Sequence, residues 1–201
     1  MHAQADEVTR DKVLAAADRL YYSRGIQAVG MDALRVEAGV SLKRLYQLFP
    51  SKESIVEEVL QRRRRLWNGM VEAAVETGET PRAKLLAVYD MLARWFDEDD
   101  FRGCVFINTF GELGANAPRV ADLVREHKAQ FQARLAELVA DAGGPTSLAS
   151  QLAILAEGAQ TTAAIAGTSD AAVHARTAAA TLIDAALAGT GGAGGEAGSL
   201  V

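Results

Sequence analysis

The sequence predicts an all-α protein, and three observations support that fold class. Alanine is abundant and aromatic residues make up only 6% of the chain, a composition that favours helices. Alternating runs of β-branched residues between turn residues, the usual mark of strands, do not occur in the sequence. Apolar residues recur instead at helical spacing, between capping residues, prolines and glycines. We therefore expect about nine helices, with an N-terminal three-helix head and a C-terminal helical-bundle body.

The helices of the head begin or end at residues with known positional preferences. Thr9 is a suitable N-cap for the first helix, and Gly25 and Gly39 are suited to end the first two. Phe49 precedes a proline, which disfavours helical backbone at that position and ends the third helix. The expected spans are about 9–24, 31–38 and 41–48.

Six more helices are expected in the body. Ser51 and Thr80 are suitable N-caps, and a proline at the first helical position follows Thr80. Two glycines and a proline at 143–145 separate the seventh helix from the eighth. The expected spans are about 52–77, 81–96, 104–114, 118–142, 147–166 and 170–188.

Composition places the protein in a broad class. The 201 residues suffice to bury a sizeable core, and 49% of them are apolar. Cys104 is the single cysteine, so no internal disulfide can form, a pattern typical of the reducing cytosol. The N-terminus lacks the apolar run of a signal peptide, and no uncharged apolar stretch reaches about 18 residues. We therefore expect a cytoplasmic protein without a membrane partner.

Charge is distributed unevenly along the chain. The formal net charge is −5, but residues 1–65 carry 12 Lys and Arg against 9 Asp and Glu, a net charge of +3. Residues 66–201 carry 9 against 17, a net charge of −8. A basic head on an acidic body suits a protein that presents one end to nucleic acid. Chance variation of charge along the chain is the alternative.

Residues 31–52 combine the spacing and the chemistry of a DNA-binding helix-turn-helix. Leu34 lies on one face of the second helix, and Leu45 and Leu48 are spaced to pack against it from the third. Gly39 permits the left-handed turn between the two helices. An ordinary pair of short helices with a solvated basic face is the alternative.

The exposed face of the third helix carries side chains suited to DNA. Arg44 can donate two hydrogen bonds to guanine, Gln47 can bind adenine, and Leu42 can contact a thymine methyl. The other basic and phenolic groups suit phosphates, and Lys52 lies at a helix start whose backbone N–H groups also attract phosphate. The predicted DNA-binding residues are Ser41, Leu42, Lys43, Arg44, Tyr46, Gln47 and Lys52.

The segment AGVSLKRLYQLFPSKESIV resembles the signature of the tetracycline repressor (TetR) family, and GIQAVGMDALRVEAGV resembles that family's entry into its helix-turn-helix. The specific resemblance covers roughly residues 9–60; beyond it only the number and order of helices are similar. It implies a dimeric, all-α repressor whose last two helices form a four-helix dimer bundle and whose body holds a ligand cavity. It also implies that six positions match family contacts to DNA: Ser41, Lys43, Arg44, Tyr46, Gln47 and Lys52.

The predicted domains follow from the helices and the resemblance. Residues 1–50 are expected to form the DNA-binding domain, and residues 51–188 the ligand-binding and dimerisation domain. Residues 189–201 are rich in glycine and are expected to form a disordered tail.

The ligand cavity that the resemblance implies has candidate lining residues in the body. Ligand pockets are mostly apolar with a few polar anchors, and the body offers both kinds of side chain. Packing in the core or at the surface is the alternative for each of them. The candidates are Trp67, Trp95, Cys104, Phe106, Phe110, His127, Phe131, Glu157 and Gln160.

The two alanine-rich helices at residues 147–188 suit a dimer interface, because small side chains permit close helix approach. Their apolar stripes can pair across a two-fold axis. A purely intramolecular hairpin is the alternative. The candidate interface residues are Leu148, Leu152, Leu155, Leu182, Ile183 and Leu187.

We therefore expect a sequence-specific transcriptional regulator that binds a near-palindromic operator as a homodimer and is released by a small molecule. The sequence contains no histidine or cysteine spacing for a metal and no phosphate-binding glycine loop, so we expect no metal, no cofactor and no catalysis. One alternative is a non-specific architectural DNA-binding protein. The other is a helical enzyme that uses Cys104 or the pair Glu112 and His127.

Overall fold

The computed structural model describes residues 2–191, and every regular element in that range is an α-helix. The all-α fold class with an N-terminal helix-turn-helix is therefore confirmed. The helices of the described range are α1 (His2–Arg24), α2 (Met31–Ala38), α3 (Leu42–Leu48), α4 (Lys52–Glu76), α5 (Pro81–Phe96), α6 (Val105–Leu113), α7 (Pro118–Asp141), α8 (Thr146–Ala166) and α9 (Asp170–Gly191).

Several helix ends lie where the sequence places them, and two of the predicted caps form. The Ser41 hydroxyl accepts a hydrogen bond from the backbone N–H of Arg44 at 3.1 Å. The Thr80 hydroxyl accepts one from the N–H of Ala83, also at 3.1 Å. Each bond satisfies a backbone donor that the first helical turn leaves without an intrahelical partner. Gly25 follows the last residue of α1 with a left-handed φ of +84°, a conformation that favours glycine.

Helix α1 begins earlier than the sequence predicts. Thr9 is not an N-cap, because its hydroxyl donates to the carbonyl oxygen of Ala5 at 2.7 Å inside the helix. A threonine that bonds back to its own helix in this way can lie in the middle of it. The predicted start at Thr9 is therefore wrong, and the additional turns carry Asp6.

The C-terminal end also differs from the sequence-based expectation. The disordered tail was predicted from residue 189, but α9 continues to Gly191. The remainder of the predicted tail lies outside the described residues.

The described chain divides into two compact units. The first contains residues 2–67 and Cys104–His127, and the second contains Asn68–Gly103 and residues 128–191. Helix α6 and the first part of α7 therefore belong to the same unit as the three-helix head. The predicted domain boundary after residue 50 does not coincide with this structural division.

One hydrophobic cluster holds the first unit together. Leu34, Leu45 and Phe49 from the head are completely buried in it. Phe106 from α6 and Val120 from α7 belong to the same cluster, with 3% and 0% of their surfaces exposed. Burial of apolar surface stabilises a fold by roughly 25 cal/mol per Å². The head is therefore stabilised in part by side chains from distant segments of the sequence.

The second unit has its own core, in which α5, α8 and α9 pack together. Tyr89 of α5 is 1% exposed, and its hydroxyl donates to the carbonyl oxygen of Leu152 in α8 at 2.7 Å. At the surface, the Arg82 guanidinium in α5 pairs with the Asp184 carboxylate in α9 at 2.6 Å. These contacts fix the buried faces of α8 and α9 and thereby determine which faces remain exposed.

Candidate nucleic-acid interface

A tight turn joins α2 to α3. Gly39 has a φ of +66° in the left-handed region, and its N–H donates to the Val36 carbonyl oxygen at 3.2 Å. The Val40 N–H donates to the Arg35 carbonyl oxygen at 2.9 Å. These bonds satisfy the last carbonyls of α2 and redirect the chain into α3.

One face of α3 is anchored in the core. Leu45 is completely buried, and Phe49 immediately after the helix is completely buried as well. Leu48 packs against the same cluster while partly exposed. Because three positions in and next to a seven-residue helix are held, its rotation about its own axis is fixed.

The opposite face of α3 is exposed. Leu42 and Tyr46 are 38% and 49% exposed, and Lys43 and Gln47 are exposed beside them. The capping residue Ser41 is exposed at the start of the helix. An apolar group, an amide and a cation thus lie together on one side of a short helix, the combination that reads base edges in a major groove. The structure brings these five predicted residues together; their contacts to DNA stay a prediction.

Arg44 lies at the edge of this face and is half-buried. Its Nη2 donates to the Asp6 carboxylate of α1, with 33% of the Arg44 side chain and 49% of the Asp6 side chain exposed. Arg44, at the edge of the exposed face of α3, is therefore in contact with α1 as well as with solvent.

Lys52 begins α4 and is half-buried. Partial burial lowers the pKa of Lys52, and the nearby Glu112 carboxylate opposes that change. A bound phosphate would favour the charged form and offset the desolvation of the ammonium group. Lys52 therefore stays a candidate for phosphate contact.

The Glu112 carboxylate holds the turn between α1 and α2, an arrangement that we name the Glu112 clamp. Its Oε1 accepts from the Ile26 N–H at 3.0 Å, and its Oε2 accepts from the Gln27 N–H at 2.8 Å. The Gln27 side chain donates in return to the Glu112 carbonyl oxygen at 2.7 Å. A Cβ atom at Gly25 would lie 3.3 Å from both carboxylate oxygens, so the turn and the carboxylate fit closely.

Three of the four arginines at 62–65 pair with carboxylates inside the first unit. Arg63 Nε lies 2.6 Å from the Asp18 carboxylate of α1, and Arg64 lies 2.8 Å from the Glu126 carboxylate of α7. These pairs connect α4 to two neighbouring helices. They favour a structural role for the run over contact with DNA.

Five of the nine candidate pocket residues lie in the first unit. Cys104, Phe106 and His127 are buried, and the rings of Phe106 and His127 stack at 3.6 Å with 12° between their planes. Trp67 meets His127 edge-on, with ring centroids 6.1 Å apart. Phe110 differs from the others because 43% of its surface is exposed. Aromatic clusters of this kind occur in cores and in ligand pockets alike.

The other four candidates lie in the second unit. Trp95 packs edge-on against Phe101 with centroids 5.0 Å apart, and Phe131 is 5% exposed. The partly buried Glu157 lies 3.4 Å from Lys128 Nζ. Gln160 is buried, and its Nε2 donates to the carbonyl oxygen one turn earlier at 3.2 Å. Its Oε1 is buried without a hydrogen-bond partner in the described part of the chain.

The candidate dimer residues fall into two groups. Leu148, Leu152 and Ile183 are at most 1% exposed within the single chain, so they pack in its own core and offer no surface to a second copy. Their assignment to the interface is corrected on that ground. The other three are partly exposed, namely Leu155, Leu182 and Leu187.

Sequence reasoning did not predict the contacts that Asp6, Arg10 and Glu112 make within the head, and it considered Glu112 in another role, as part of a catalytic pair. Asp6 lies 38 positions from its partner Arg44, and Glu112 lies 86 from Ile26, so no local spacing could reveal either contact. One signal was present, because Glu112 is the single charged residue of α6. A lone carboxylate in an apolar helix indicates a specific hydrogen-bonding partner.

A helix-turn-helix with a packed support and an exposed polar face, on an all-α scaffold, defines a DNA-binding transcriptional regulator. Comparison with known families agrees. Residues 13–59 match "Bacterial regulatory proteins, tetR family", and residues 81–179 match "Tetracyclin repressor-like, C-terminal domain". The chain belongs to the TetR family of transcriptional regulators, as the sequence predicted.

Solved structures and curated proteins include relatives of this chain. A protein from Streptomyces avermitilis assigned to the TetR regulators is 30% identical, with a TM-score of 0.77 over 89% of this chain and 97% of its own. A TetR-family regulator from Streptomyces coelicolor shares the fold, with a TM-score of 0.79 at 24% identity over 90% of this chain and 95% of its own.

Among curated proteins, the HTH-type transcriptional activator FasR of Mycolicibacterium smegmatis is 34% identical over 90 residues. That match covers 45% of this chain and 41% of FasR, so the chain spans less than half of that relative's length. Within residues 2–191, no helix is both long enough and apolar enough to cross a membrane.

Proposed function

We propose that this regulator binds a near-palindromic operator as a homodimer and that a small molecule bound in its body releases it. The observation that carries the proposal is the exposed face of α3, where base-reading and phosphate-binding groups lie on a helix whose rotation the core fixes. In this proposal residues 1–50 bind DNA, and residues 51–188 bind the ligand and the second copy.

An exposed apolar surface on the last two helices supports the homodimer. Ile154 and Ile165 of α8 are 72% and 83% exposed, and Val173 of α9 is 64% exposed. We name these three residues the α8–α9 stripe. Ile154 and Ile165 lie 11 positions apart, about three helical turns, and therefore share one face of α8. An exposed apolar face of this kind is typical of interaction surfaces. The stripe replaces the buried leucines of the sequence-based prediction as the surface offered to a second copy.

Threonines on the same two helices extend this apolar character. The hydroxyls of Thr161, Thr177 and Thr181 each donate to the carbonyl oxygen one turn earlier, at 3.2, 2.9 and 3.1 Å. Because their donors are used within the helix, these side chains need no polar partner from a second copy. Small residues at such positions permit close helix packing.

Selection of bound duplexes from a random DNA pool tests the operator proposal. We expect enrichment of an inverted repeat whose half-sites lie about 34 Å apart or a multiple of that distance, because a two-fold dimer presents two copies of α3. The selected sequence should bind about 10³-fold more tightly than random DNA. Equal binding to all duplexes would favour the architectural alternative.

Substitution of Ile154 by Glu tests the dimer. A carboxylate in the α8–α9 stripe would be desolvated on association, so Ile154→Glu should give a monomer and weaken operator binding. Sedimentation analysis and operator titration provide the two measurements. Leu66→Glu is the matched control, because Leu66 is 55% exposed on α4, outside the stripe. An Ile154→Glu variant that remains a dimer would exclude the α8–α9 stripe as the dimer interface.

The small-molecule part of the proposal depends on the body. The Gln160 Oε1 in the second unit is buried without a partner in the described residues and offers an acceptor to a ligand donor, and buried aromatic side chains of the same unit, such as Phe131, supply apolar surface. A ligand that favours the DNA-free state by about 100-fold, roughly 2.7 kcal/mol, would suffice for substantial release. Metabolite mixtures added to the operator complex test for release, and Gln160→Leu should weaken the response without weakening operator binding.

Activation is the second candidate function. The relative that is 34% identical over 90 residues is named as an activator. The same DNA-bound dimer can block or assist transcription, depending on where its operator lies in the promoter. A reporter with the selected operator in its natural position distinguishes the two, because deletion of the regulator raises expression under repression and lowers it under activation.

A further inference from the structure

The first turns of α1 run alongside α3, which is the recognition helix of the proposed function. The contacts between the two helices keep one sequence separation. Asp6 pairs with Arg44, and Arg10 donates to the Leu48 carbonyl oxygen at 2.7 Å; both contacts join positions 38 apart. Asp6 and Arg10 are one helical turn apart, and so are Arg44 and Leu48. Helix α1 therefore holds α3 at two successive turns, with the two helices running in the same direction along this contact.

Arg10 makes the second of these two contacts, the one at the end of α3. Its guanidinium pairs with the Glu58 carboxylate of α4 and lies 4.3 Å above the ring of Phe49. Its bond to Leu48 satisfies a carbonyl oxygen at the end of α3, where the helix has no further donors of its own. Arg10 therefore connects the end of α3 to α1 and, through Glu58, to α4.

Asp6 makes the first of the two contacts, with the side chain of Arg44 near the centre of α3. Arginine has five N–H donors, and the bond to Asp6 uses one of those on Nη2. Within the described residues, the Nε and Nη1 donors of Arg44 make no hydrogen bond. Enough donors remain for a bidentate contact to guanine while the Asp6 bond is kept.

We infer that Asp6 is a positioning residue that determines base specificity by restraining the Arg44 side chain. The inference rests on the proposed function, in which Arg44 reads a base. A free arginine side chain samples many rotamers and must be ordered on binding. A guanidinium already held by a carboxylate loses less conformational entropy when it binds guanine. The same bond restricts the guanidinium to one position in the DNA major groove.

Asp6 also brings a negative charge to a surface that approaches phosphates. That charge opposes binding to any DNA sequence, whereas the restraint on Arg44 favours only the sequence with guanine in place. Removal of the carboxylate should therefore raise affinity for random DNA and lower discrimination at one base pair. These opposite effects separate positioning from simple electrostatics.

Asp11→Ala provides the matched control for Asp6→Ala. Asp11 lies on the same helix, carries the same charge, and faces Arg62 of α4 at 3.8 Å with 70% of its side chain exposed. Each variant removes one carboxylate from α1. Only Asp6→Ala removes a contact to α3.

The test measures binding of both variants to the selected operator and to duplexes that differ from it at single base pairs. We expect Asp6→Ala to lose about tenfold in discrimination at the base pair that Arg44→Ala also affects, a share of what one bidentate contact provides. The double variant Asp6→Ala/Arg44→Ala should lose no more discrimination at that base pair than Arg44→Ala alone. Asp11→Ala should keep the wild-type preference at every position.

An Asp6→Ala profile equal to that of Asp11→Ala would overturn the inference and leave the proposed function intact. Loss of discrimination spread over base pairs unrelated to Arg44 would also overturn it, since that result indicates general loosening of the head. If the wild-type chain itself shows no base preference, both the proposed function and this inference fail. Should Asp6→Ala not fold, Asp6→Leu removes the acceptor while it keeps the approximate size, and the same comparison applies.

Discussion

Two buried tyrosines differ in one hydrogen bond and form a natural pair for experiment. Tyr21 in the first unit is 5% exposed and Tyr89 in the second is 1% exposed, and burial raises the pKa of both phenols above the ordinary value. The Tyr89 hydroxyl donates to the Leu152 carbonyl oxygen. The Tyr21 hydroxyl has no hydrogen-bond partner among the described residues.

Removal of the two hydroxyls should therefore affect the free energy of unfolding differently. Tyr89→Phe should lower the free energy of unfolding by about 1 kcal/mol, the net contribution of a typical hydrogen bond. Tyr21→Phe should leave it unchanged or raise it, because a buried polar group without a partner disfavours the fold. Urea denaturation of the two variants beside wild type measures both changes, and an equal loss of stability in both would contradict the expectation.

Lys52 allows a prediction about phosphate contact. If its ammonium group binds a phosphate, Lys52→Ala should weaken binding to operator and random DNA by a similar factor, because phosphates carry no sequence information. The slope of log affinity against log salt should also fall by about one. Titrations at several salt concentrations measure this slope, and an unchanged slope would remove Lys52 from the DNA-contact residues.

At the scale of single residues, local chemistry was predictable and distant pairing was not. The Ser41 cap and the left-handed Gly39 turn follow from short-range preferences, and both occur in the structure. The Asp6 and Glu112 contacts join segments 38 and 86 positions apart. Their geometry depends on the packed head, which one sequence does not reveal.

At the scale of helices, periodicity found the elements but did not show which faces of the last two are buried. Helices α8 and α9 carry apolar residues on more than one side, so a stripe at helical spacing does not tell core from interface. In the structure Leu148 and Leu152 pack inside the chain, whereas Ile154 and Ile165 are exposed. The missed start of α1 has a similar origin, because Thr9 fits a cap and an internal helical position equally well.

At the scale of the whole molecule, the division into compact units bears on what can fold alone. The cluster that buries the head also contains Phe106, Val120 and Val124 from α6 and α7. A fragment of residues 1–67 would lose these partners of its core. Small helical fragments without a complete core are marginal in water.

We therefore expect the 1–67 fragment to lack a cooperative thermal transition, although it contains the entire helix-turn-helix. Circular dichroism of the fragment, with the full chain as reference, provides the measurement. A sharp transition in the fragment alone would show that the contribution of α6 and α7 to the core is dispensable.

The Glu112 clamp has a consequence for engineered chimeras. A head grafted at residue 50 onto the body of another regulator would leave the Ile26 and Gln27 amides without the carboxylate that accepts from them. Unless the recipient's sixth helix supplies an acidic side chain at the matching site, the transplanted turn would lose its support. A workable splice should therefore transfer α6 together with the first fifty residues.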